Sequence, residues 1–536
     1  MPDALSSAEP VLIVGSGIAG LSLALMLEEA GVRSTVLSKA QTGTAGSSWY
    51  AQGGLAAAIG EDDSVEEHIA DTLAVACGLA RPDAVERILG ASQAACRWLL
   101  RQGVEFDRNP DGGFSLGMEG GHAHRRILHC RDATGRGIIN ALIERVRERS
   151  ERIRLLEHRV AIDLCIDSDD RARGVYTLDL QSGEVELLRG ACTVLASGGI
   201  SGIYAHATSV SPAHGDGIAM AARVHLPLTN MEFVQFHPSA LHGAKGVLLS
   251  EALRGEGAKL CDAEGVPFMH EYHEAADLAP RDAVSRAIGR HLERTGAECA
   301  YLDVRGLDVE FSRRRFPYLW EECARYGLSP DVDLLPAIPA AHYSCGGVHV
   351  DDRGQTQIPG LYAIGETAWS GLHGANRLAS NSLTECVVMA LLSCHNIVLS
   401  RLSAHSGRIP EEPPFRTVRR PPDAEVVESL KARSEAVRRS VTQHLGIVRR
   451  TDDLARAVRE FSAERAAFER ELPDLPLCPE ALELRNLLTC AELVAISAHQ
   501  RRECRGLHYV EDCTDEELMP VGADTKVRLT PVDLSG

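Results

Sequence analysis

Residues 11–38 read VLIVGSGIAGLSLALMLEEAGVRSTVLS, and the change of period along them decides the fold. Val11 to Val14 form a short unbroken apolar run, the pattern of a strand buried on both faces. A glycine turn follows, then an apolar-periodic helix to about Ala30, with Gly31 as its stop and a second strand after it. Gly15-x-Gly17-x-x-Gly20 falls at the strand-to-helix junction of this βαβ unit. Without side chains there, the backbone can approach a pyrophosphate at the helix N-terminus. The unit therefore predicts dinucleotide binding. The acid that usually ends the second strand and holds a ribose is missing, and Ser38-Lys39 stands in its place. Two later segments, ACTVLASGG (191–199) and GLYAIGE (360–366), are short apolar strands ending in glycine and polar residues. They are expected to return to the same sheet and point their C-terminal ends at the ligand.

The rest of the chain is large enough for three or four domains, since it has 536 residues against roughly 150 per domain. Apolar residues make up 44% and charged ones 24%, and the unbroken apolar runs stay well short of the roughly 18 residues a membrane span needs. No membrane association is expected. The first residues, MPDALSSAEP, lack a basic cluster and a cleavable apolar segment, which argues against secretion. Fifteen cysteines, with no Cys-x-x-Cys pair, suggest reduced thiols and a cytoplasmic setting. A net charge of −19 disfavours nucleic acid as a partner. An anionic ligand would have to be met by a locally basic site.

Residues 1–233 are expected to form the first part of the dinucleotide domain, and 343–407 its second part. Between them, 234–342 mix helical patterns such as RDAVSRAIGRHLERTGA with scattered aromatics, the texture of an inserted domain. The Pro-rich stretch 408–422 predicts a linker. Residues 423–510 contain three long amphipathic helical patterns, and 511–536 an irregular tail. Dense polarity beside apolar strands marks NMEFVQFHPSALHGAKGVLLSEALRGEGAKL (230–260), with Gln235, His237, Ser250, Glu251, Arg254 and Glu256. Similar clusters follow at LAPRD (278–282), PAAHYSCGG (339–347) and GLHGANRLASNSL (371–383).

Together with YAQGGLAAA (50–58), HRRILHCRDATGR (124–136) and LYAIGE (361–366), these strings resemble the succinate dehydrogenase/fumarate reductase flavoprotein family over about residues 9–510. The resemblance implies an α/β FAD-binding Rossmann-like domain with an inserted α+β capping domain and a C-terminal helical-bundle domain. It implies a dicarboxylate lying between the FAD and capping domains. Arg377 and His342 would grip one carboxylate, and His237 and Ser250 the other, with Gln235 in the same site. Many relatives carry Thr at the place of Ser250, and the hydroxyl is kept. Arg281 matches the family's proton-transferring arginine and Glu251 its relay neighbour. A guanidinium is a poor base in water because its pKa exceeds about 12, so that role demands a strong local field.

For the cofactor, the resemblance implies Gly15, Ser16, Gly17, Ile18, Ala19 and Gly20 at the pyrophosphate turn. It adds Lys39, then Ser47, Ser48, Ala51, Gln52, Gly53 and Gly54, then Asp216 and Glu366, with Ser382 and Leu383 near the isoalloxazine. A histidine that tethers the flavin in membrane-complex relatives is replaced here by Ser47, so FAD is expected to be non-covalent. Within the family, the chain resembles the members that oxidise L-aspartate to iminoaspartate and return the electrons to oxygen or fumarate. That reaction opens de novo pyridine nucleotide (NAD) biosynthesis and supplies quinolinate synthase. Two alternatives are a succinate dehydrogenase or fumarate reductase subunit, which would need an iron–sulfur partner, and a non-catalytic flavin-binding scaffold. Aspartate differs from succinate by an α-ammonium, and a buried ammonium without a counter-charge is costly. The resemblance assigns that counter-charge to Glu119.

Glu119 sits in Met118-Glu119-Gly120-Gly121-His122-Ala123-His124-Arg125-Arg126-Ile127-Leu128-His129, which has the composition of a metal site. Gly120-Gly121 favours an irregular loop, and His122-x-His124 would point to opposite sides of an extended backbone. No metal is expected, and the histidines are assigned supporting roles.

Overall fold

The structure is a computed structural model that describes residues 9–44, 46–208, 213–400, 407–410, 422–513 and 523–529. Val11–Val14 is the centre of a five-stranded parallel sheet, ordered Leu361–Ala363, Cys192–Leu195, Val11–Val14, Ser34–Leu37, Ile153–Leu156. A strand covered on both faces needs an apolar residue at every position, and all four residues of Val11–Val14 are buried. Both glycine-ended segments expected to return to this sheet do so. The helix Ile18–Glu29 lies against helices Asn381–Leu399 and Thr134–Glu148. Leu21, Leu23, Leu25 and Leu27 are all fully buried, as they must be in a helix packed on every side. Asn381–Leu399 is long and apolar enough to cross a membrane, but it is packed here against Ile18–Glu29 and the helix Ser92–Arg101.

The turn between strand and helix works through missing atoms. Gly15 has φ +119°, and a Cβ there would lie 2.2 Å from the Ala196 carbonyl oxygen. A Cβ on Gly20 would lie 2.0 Å from the Gly15 carbonyl oxygen. Gly20 thus lets the helix press onto the turn, which in turn presses onto the neighbouring strand.

Residues from Leu241 to Ala337 have an apolar core of their own, including Leu249, Leu253, Ile288 and Phe316. Its antiparallel sheet runs Val234–Leu241, Leu335–Ser344, Ala300–Asp303, Lys259–Cys261. The two long strands leave the FAD-binding part as a pair, and their register breaks twice, around Gln235/Phe236 and His237/Ala240. At the first break Gln235 opposes Tyr343 and Phe236 opposes Ala341, leaving His342 as the extra residue of a bulge. Pro238, which has no N–H for the ladder, lies in the second break. Bulges re-aim side chains, and these two flank His342 and His237.

Helices Ala424–Leu445, Thr451–Glu471 and Pro479–Gln500 pack on one another, and the last also packs on the helix Asp216–Arg223. The expected linker 408–422 falls mostly outside the described residues, as does much of the expected tail 511–536. The irregular-tail expectation needs correcting where the tail is described: Lys526–Val527 pairs antiparallel with Leu228–Thr229. Thr525 anchors it, donating its N–H to the Asn230 side chain (2.9 Å) and its hydroxyl to Glu232 (2.8 Å).

Gly20→Ala should therefore cost about 1–3 kcal/mol of stability and weaken FAD binding at the same time. Thermal melting with and without FAD checks both, and a variant that melts and binds like the parent would contradict the close-contact account.

Candidate active site

A groove opens where the parallel strands end. Gly15, Ser16, Gly17, Ile18, Ala19, Lys39 and Asp216 line it, with Ser38, which stands beside Lys39 in place of the usual acid, and with Ser197 and Gly198 from the expected glycine-ended strand. Gly17 contributes no side-chain cap to the helix Ile18–Glu29, so first-turn N–H groups remain to meet an anion. Gly20 is not on the groove wall; its part is the close packing described above. The groove runs into a second cavity, and Ser47, Ser48, Glu366 and Cys386 line both. A continuous trough with glycines and a helix N-terminus at one end suits an elongated dinucleotide such as FAD.

The second cavity is lined by Ala51, Gln52, Gly53, Gly54, Ser382 and Leu383 on the FAD-binding side, and by His237, Ser250, Glu251, Arg281 and His342 on the capping side. Glu119 and Arg377 complete its polar wall. Sequence reasoning missed Thr208, Leu248, Tyr343 and Ser380, which also line it. Ser380 lies in the polar cluster 371–383, but nothing in that cluster singled it out from its neighbours. It is a non-glycine residue at φ +61°, held there by accepting the Gly54 N–H (3.0 Å) and donating to Glu119 (2.6 Å).

Gln235, expected to bind substrate, is placed behind this wall. Its Oε1 accepts from Arg281 Nη1 (3.0 Å) and from Arg377 Nε (3.2 Å) and Nη2 (3.1 Å). Its Nε2 donates to Asn376 Oδ1 (2.7 Å) and the Arg377 carbonyl (2.8 Å). With its amide engaged on both sides, Gln235 sets the spacing of the two guanidiniums instead of touching a ligand. Arg377 also donates to Ser382 (2.8 Å) and stacks over the Tyr343 ring at 4.5 Å.

Burial and neighbouring charge tune each group. Burial alone would push the Glu251 carboxyl up, but Arg281 and Arg254 more than offset it and hold it below the ordinary range. Arg281 Nε donates to Glu251 Oε2 at 2.5 Å. Glu119 is pushed above the ordinary range by burial and by the Glu251 charge. Gly120 permits that approach, since a Cβ there would be 2.7 Å from Glu251 Oε1. Among the described residues Glu119 makes no ion pair. Burial, followed by the Arg281 charge, holds His237 and His342 well below the usual imidazole range, so both are neutral near pH 7. The Ser239 N–H donates to His237 Nδ1 (3.2 Å), which leaves Nε2 to carry the proton and donate. His342 Nδ1 is paired with the Thr208 hydroxyl at 2.7 Å. Burial, then Arg281, lowers Arg377 to about 10, and burial raises Glu366 to about 7.

The histidines of the 118–129 loop go to three places. His122 is buried, its Nε2 on the Ala379 carbonyl at 2.9 Å, and burial lowers it to about 4. His129 pairs with Asp107 at 2.9 Å. His124 faces Glu67 at 3.2 Å. Asp63, Glu67 and His124 bring potential ligand atoms within 4.8 Å of one another, but both Asp63 oxygens are taken by Arg126 at 2.9 and 2.8 Å.

Gln235→Leu removes the acceptor shared by two buried guanidiniums, and KM for the substrate should rise by about tenfold or more. Steady-state kinetics measures it, and an unchanged KM would refute the spacing role.

The FAD binding domain family matches residues 10–383, and the fumarate reductase flavoprotein C-terminal family matches residues 434–524. The chain is 43% identical to an L-aspartate oxidase of Pseudomonas aeruginosa, over 96% of this chain and 97% of that one. It is 40% identical to one from Yersinia pestis, over 94% and 96%. Among solved structures, an E. coli quinol fumarate reductase chain superposes with a TM-score of 0.83 at 28% identity, covering 95% of this chain and 92% of that one. Sdh1 of Mycobacterium smegmatis gives 0.78 at 28%, covering 98% and 95%. The groove, the two-sided cavity and these matches agree: the chain belongs to the L-aspartate oxidase family, within the FAD-dependent flavoproteins of the succinate dehydrogenase/fumarate reductase type.

Proposed function

We propose that the protein oxidises L-aspartate to iminoaspartate, with FAD reoxidised by oxygen or by fumarate. The observation that carries this reading is Glu119, a buried carboxylate without an ion-pair partner among the described residues, placed in a cavity that also presents Arg281 and Arg377. A four-carbon dicarboxylate needs cationic or N–H donors at both ends, and an α-ammonium needs one acid between them. Arg377 and His342 hold one carboxylate; His237 Nε2–H and the Ser250 hydroxyl hold the other; Glu119 faces the ammonium.

FAD, when bound, supplies the two-electron acceptor for the hydride that leaves Cα. The chain's own residues bind and orient the substrate so that Cα is presented to the cofactor side of the cavity. Arg281, held by Glu251, is placed to hold or move a proton at the reacting carbons, with Glu251 as the neighbour that could pass it on. Residues 234–342 act as the cap that encloses the substrate. Ser47 and Ser48 lie at the junction of the two cavities, and with a serine at position 47 the flavin is held without a covalent bond. Fifteen free thiols fit a cytoplasmic enzyme. Its imine product is hydrolytically unstable and suits direct consumption by quinolinate synthase, at the start of NAD biosynthesis.

Incubation in air with L-aspartate, D-aspartate or succinate should yield hydrogen peroxide from L-aspartate alone; peroxide from succinate but not L-aspartate would reverse the reading. Because Glu119 must be ionised to hold an ammonium and its carboxyl is raised, kcat/KM for L-aspartate should fall as pH drops through that raised value. Glu119→Gln should abolish this acid limb and lower L-aspartate turnover by about tenfold or more, with fumarate reduction much less affected. Equal loss of both activities would remove Glu119 from its role. After acid precipitation the yellow colour should stay in the supernatant, and colour in the pellet would mean a covalent flavin.

A further inference from the structure

Lys39 follows the strand Ser34–Leu37 by two residues, where a dinucleotide-binding unit ordinarily places an acid. Its ammonium is paired with Asp216 at 3.1 Å and with Glu483 at 3.8 Å. Asp216 lines the groove, but Glu483 reaches Lys39 from outside, on the helix Pro479–Gln500. Three residues further along the same helix, Asn486 Nδ2 donates to Asp216 Oδ1 at 3.0 Å, and Asn486 Oδ1 accepts from Arg223 Nη1 at 2.9 Å. Those two partners fix the amide: turned over, it would set its oxygen against a carboxylate and its NH2 against a guanidinium.

The chain of contacts goes on in alternating charge. Arg223 Nε donates to Asp163 Oδ1 at 2.5 Å, and the other Asp163 oxygen accepts from Arg485 at 2.7 Å. Arg485 then pairs with Glu469 at 2.8 Å, on the helix Thr451–Glu471. Asp163 belongs to the strand Arg159–Ile166, whose first residues Arg159, Val160 and Ala161 line the same groove. Both sides of the adenosine end of the groove are therefore tied to helices that do not line it. Asn486 is buried, and Asp216 has a side chain only 16% exposed. A misplaced partner there could not be replaced freely by water.

We infer that the helix Pro479–Gln500 is part of the FAD-binding apparatus: Glu483 and Asn486 hold Lys39 and Asp216 in the arrangement that the adenosine half of FAD meets. They are positioning residues, and FAD affinity depends on a domain outside the groove.

The test uses the full-length protein stripped of FAD and titrated with it, following quenching of flavin fluorescence, with ADP as a competitor for the adenosine end. Asn486→Ala should raise the Kd for FAD by about tenfold, the worth of one hydrogen bond to a charged group. Glu483→Gln should raise it by about threefold, as expected for a partly exposed ion pair. The ADP competition constant should rise by the same factor in each variant. Lys431→Ala, on the exposed face of the same bundle, should leave both constants within about twofold of the parent. The inference is overturned if both test variants bind FAD within about twofold of the parent. It is equally overturned if FAD weakens while ADP does not, or if Lys431→Ala weakens FAD as much. Should Asn486→Ala fail to fold, Glu483→Gln decides alone, since its parent side chain is 36% exposed and its loss leaves the helix packing intact.

Discussion

Two guanidiniums buried side by side repel, and the cavity exists because Gln235 gives Arg281 and Arg377 a common acceptor. An isolated charge taken out of water costs several kcal/mol, and two of one sign cost more. Three N–H groups converge on the Gln235 carbonyl oxygen, Glu251 neutralises Arg281 from the other side, and the Tyr343 ring supports Arg377. Arg281 opens the helix Arg281–Thr295 in the capping part, whereas Arg377 sits on a loop of the FAD-binding part. A single amide oxygen therefore links the two halves of the site, beside the bond from Asn376 to Asp282 at 2.8 Å.

That amide is delivered by the paired strands that leave the FAD-binding part. An unbroken antiparallel ladder would alternate side chains strictly between its faces. The bulge at His342 and the irregularity around Pro238 break the alternation on both strands. Gln235 and His237, two residues apart on one strand, serve the same site at different depths: Gln235 lies behind the arginines, while His237 and His342 line the cavity with ring centroids 5.3 Å apart. Two imidazoles from adjacent strands thus meet on one side of the cavity, both kept neutral by burial.

Much of this was legible in the sequence where the information is local. The strand–glycine–helix–strand unit, the two returning strands and the three C-terminal helices follow from period and punctuation. So does the irregular loop carrying Glu119. What was not legible depends on pairings that no period encodes. Ser380 became part of the site because a left-handed backbone at that residue turns its hydroxyl to both Glu119 and Gly54. Gln235 was read as a ligand-binding residue because polarity in an apolar strand marks a site without saying which layer of it the residue occupies. Lys526–Val527 was read as tail because two residues give too short a pattern, and its pairing depends on Asn230 and Glu232 nearly three hundred residues earlier.

The net charge of −19 raised the question of how such a chain attracts a dianion, and the cavity answers it without a basic patch. Its two arginines face three carboxyl groups, of which Glu251 is held ionised while burial raises Glu119 and Glu366, and both imidazoles are uncharged. Long-range attraction is therefore weak, and discrimination rests on directed donors at fixed positions in a water-poor space, where each hydrogen bond counts for more than in water. Such donors favour one spacing of carboxylates over another, whereas a diffuse positive field would accept any anion of similar charge. In the role proposed for it, Glu119 adds a preference and not an exclusion, because an α-ammonium would relieve this buried carboxylate and a bare dicarboxylate would not. On that proposal the buried acid favours, among four-carbon dicarboxylates, the one whose α-ammonium can meet it.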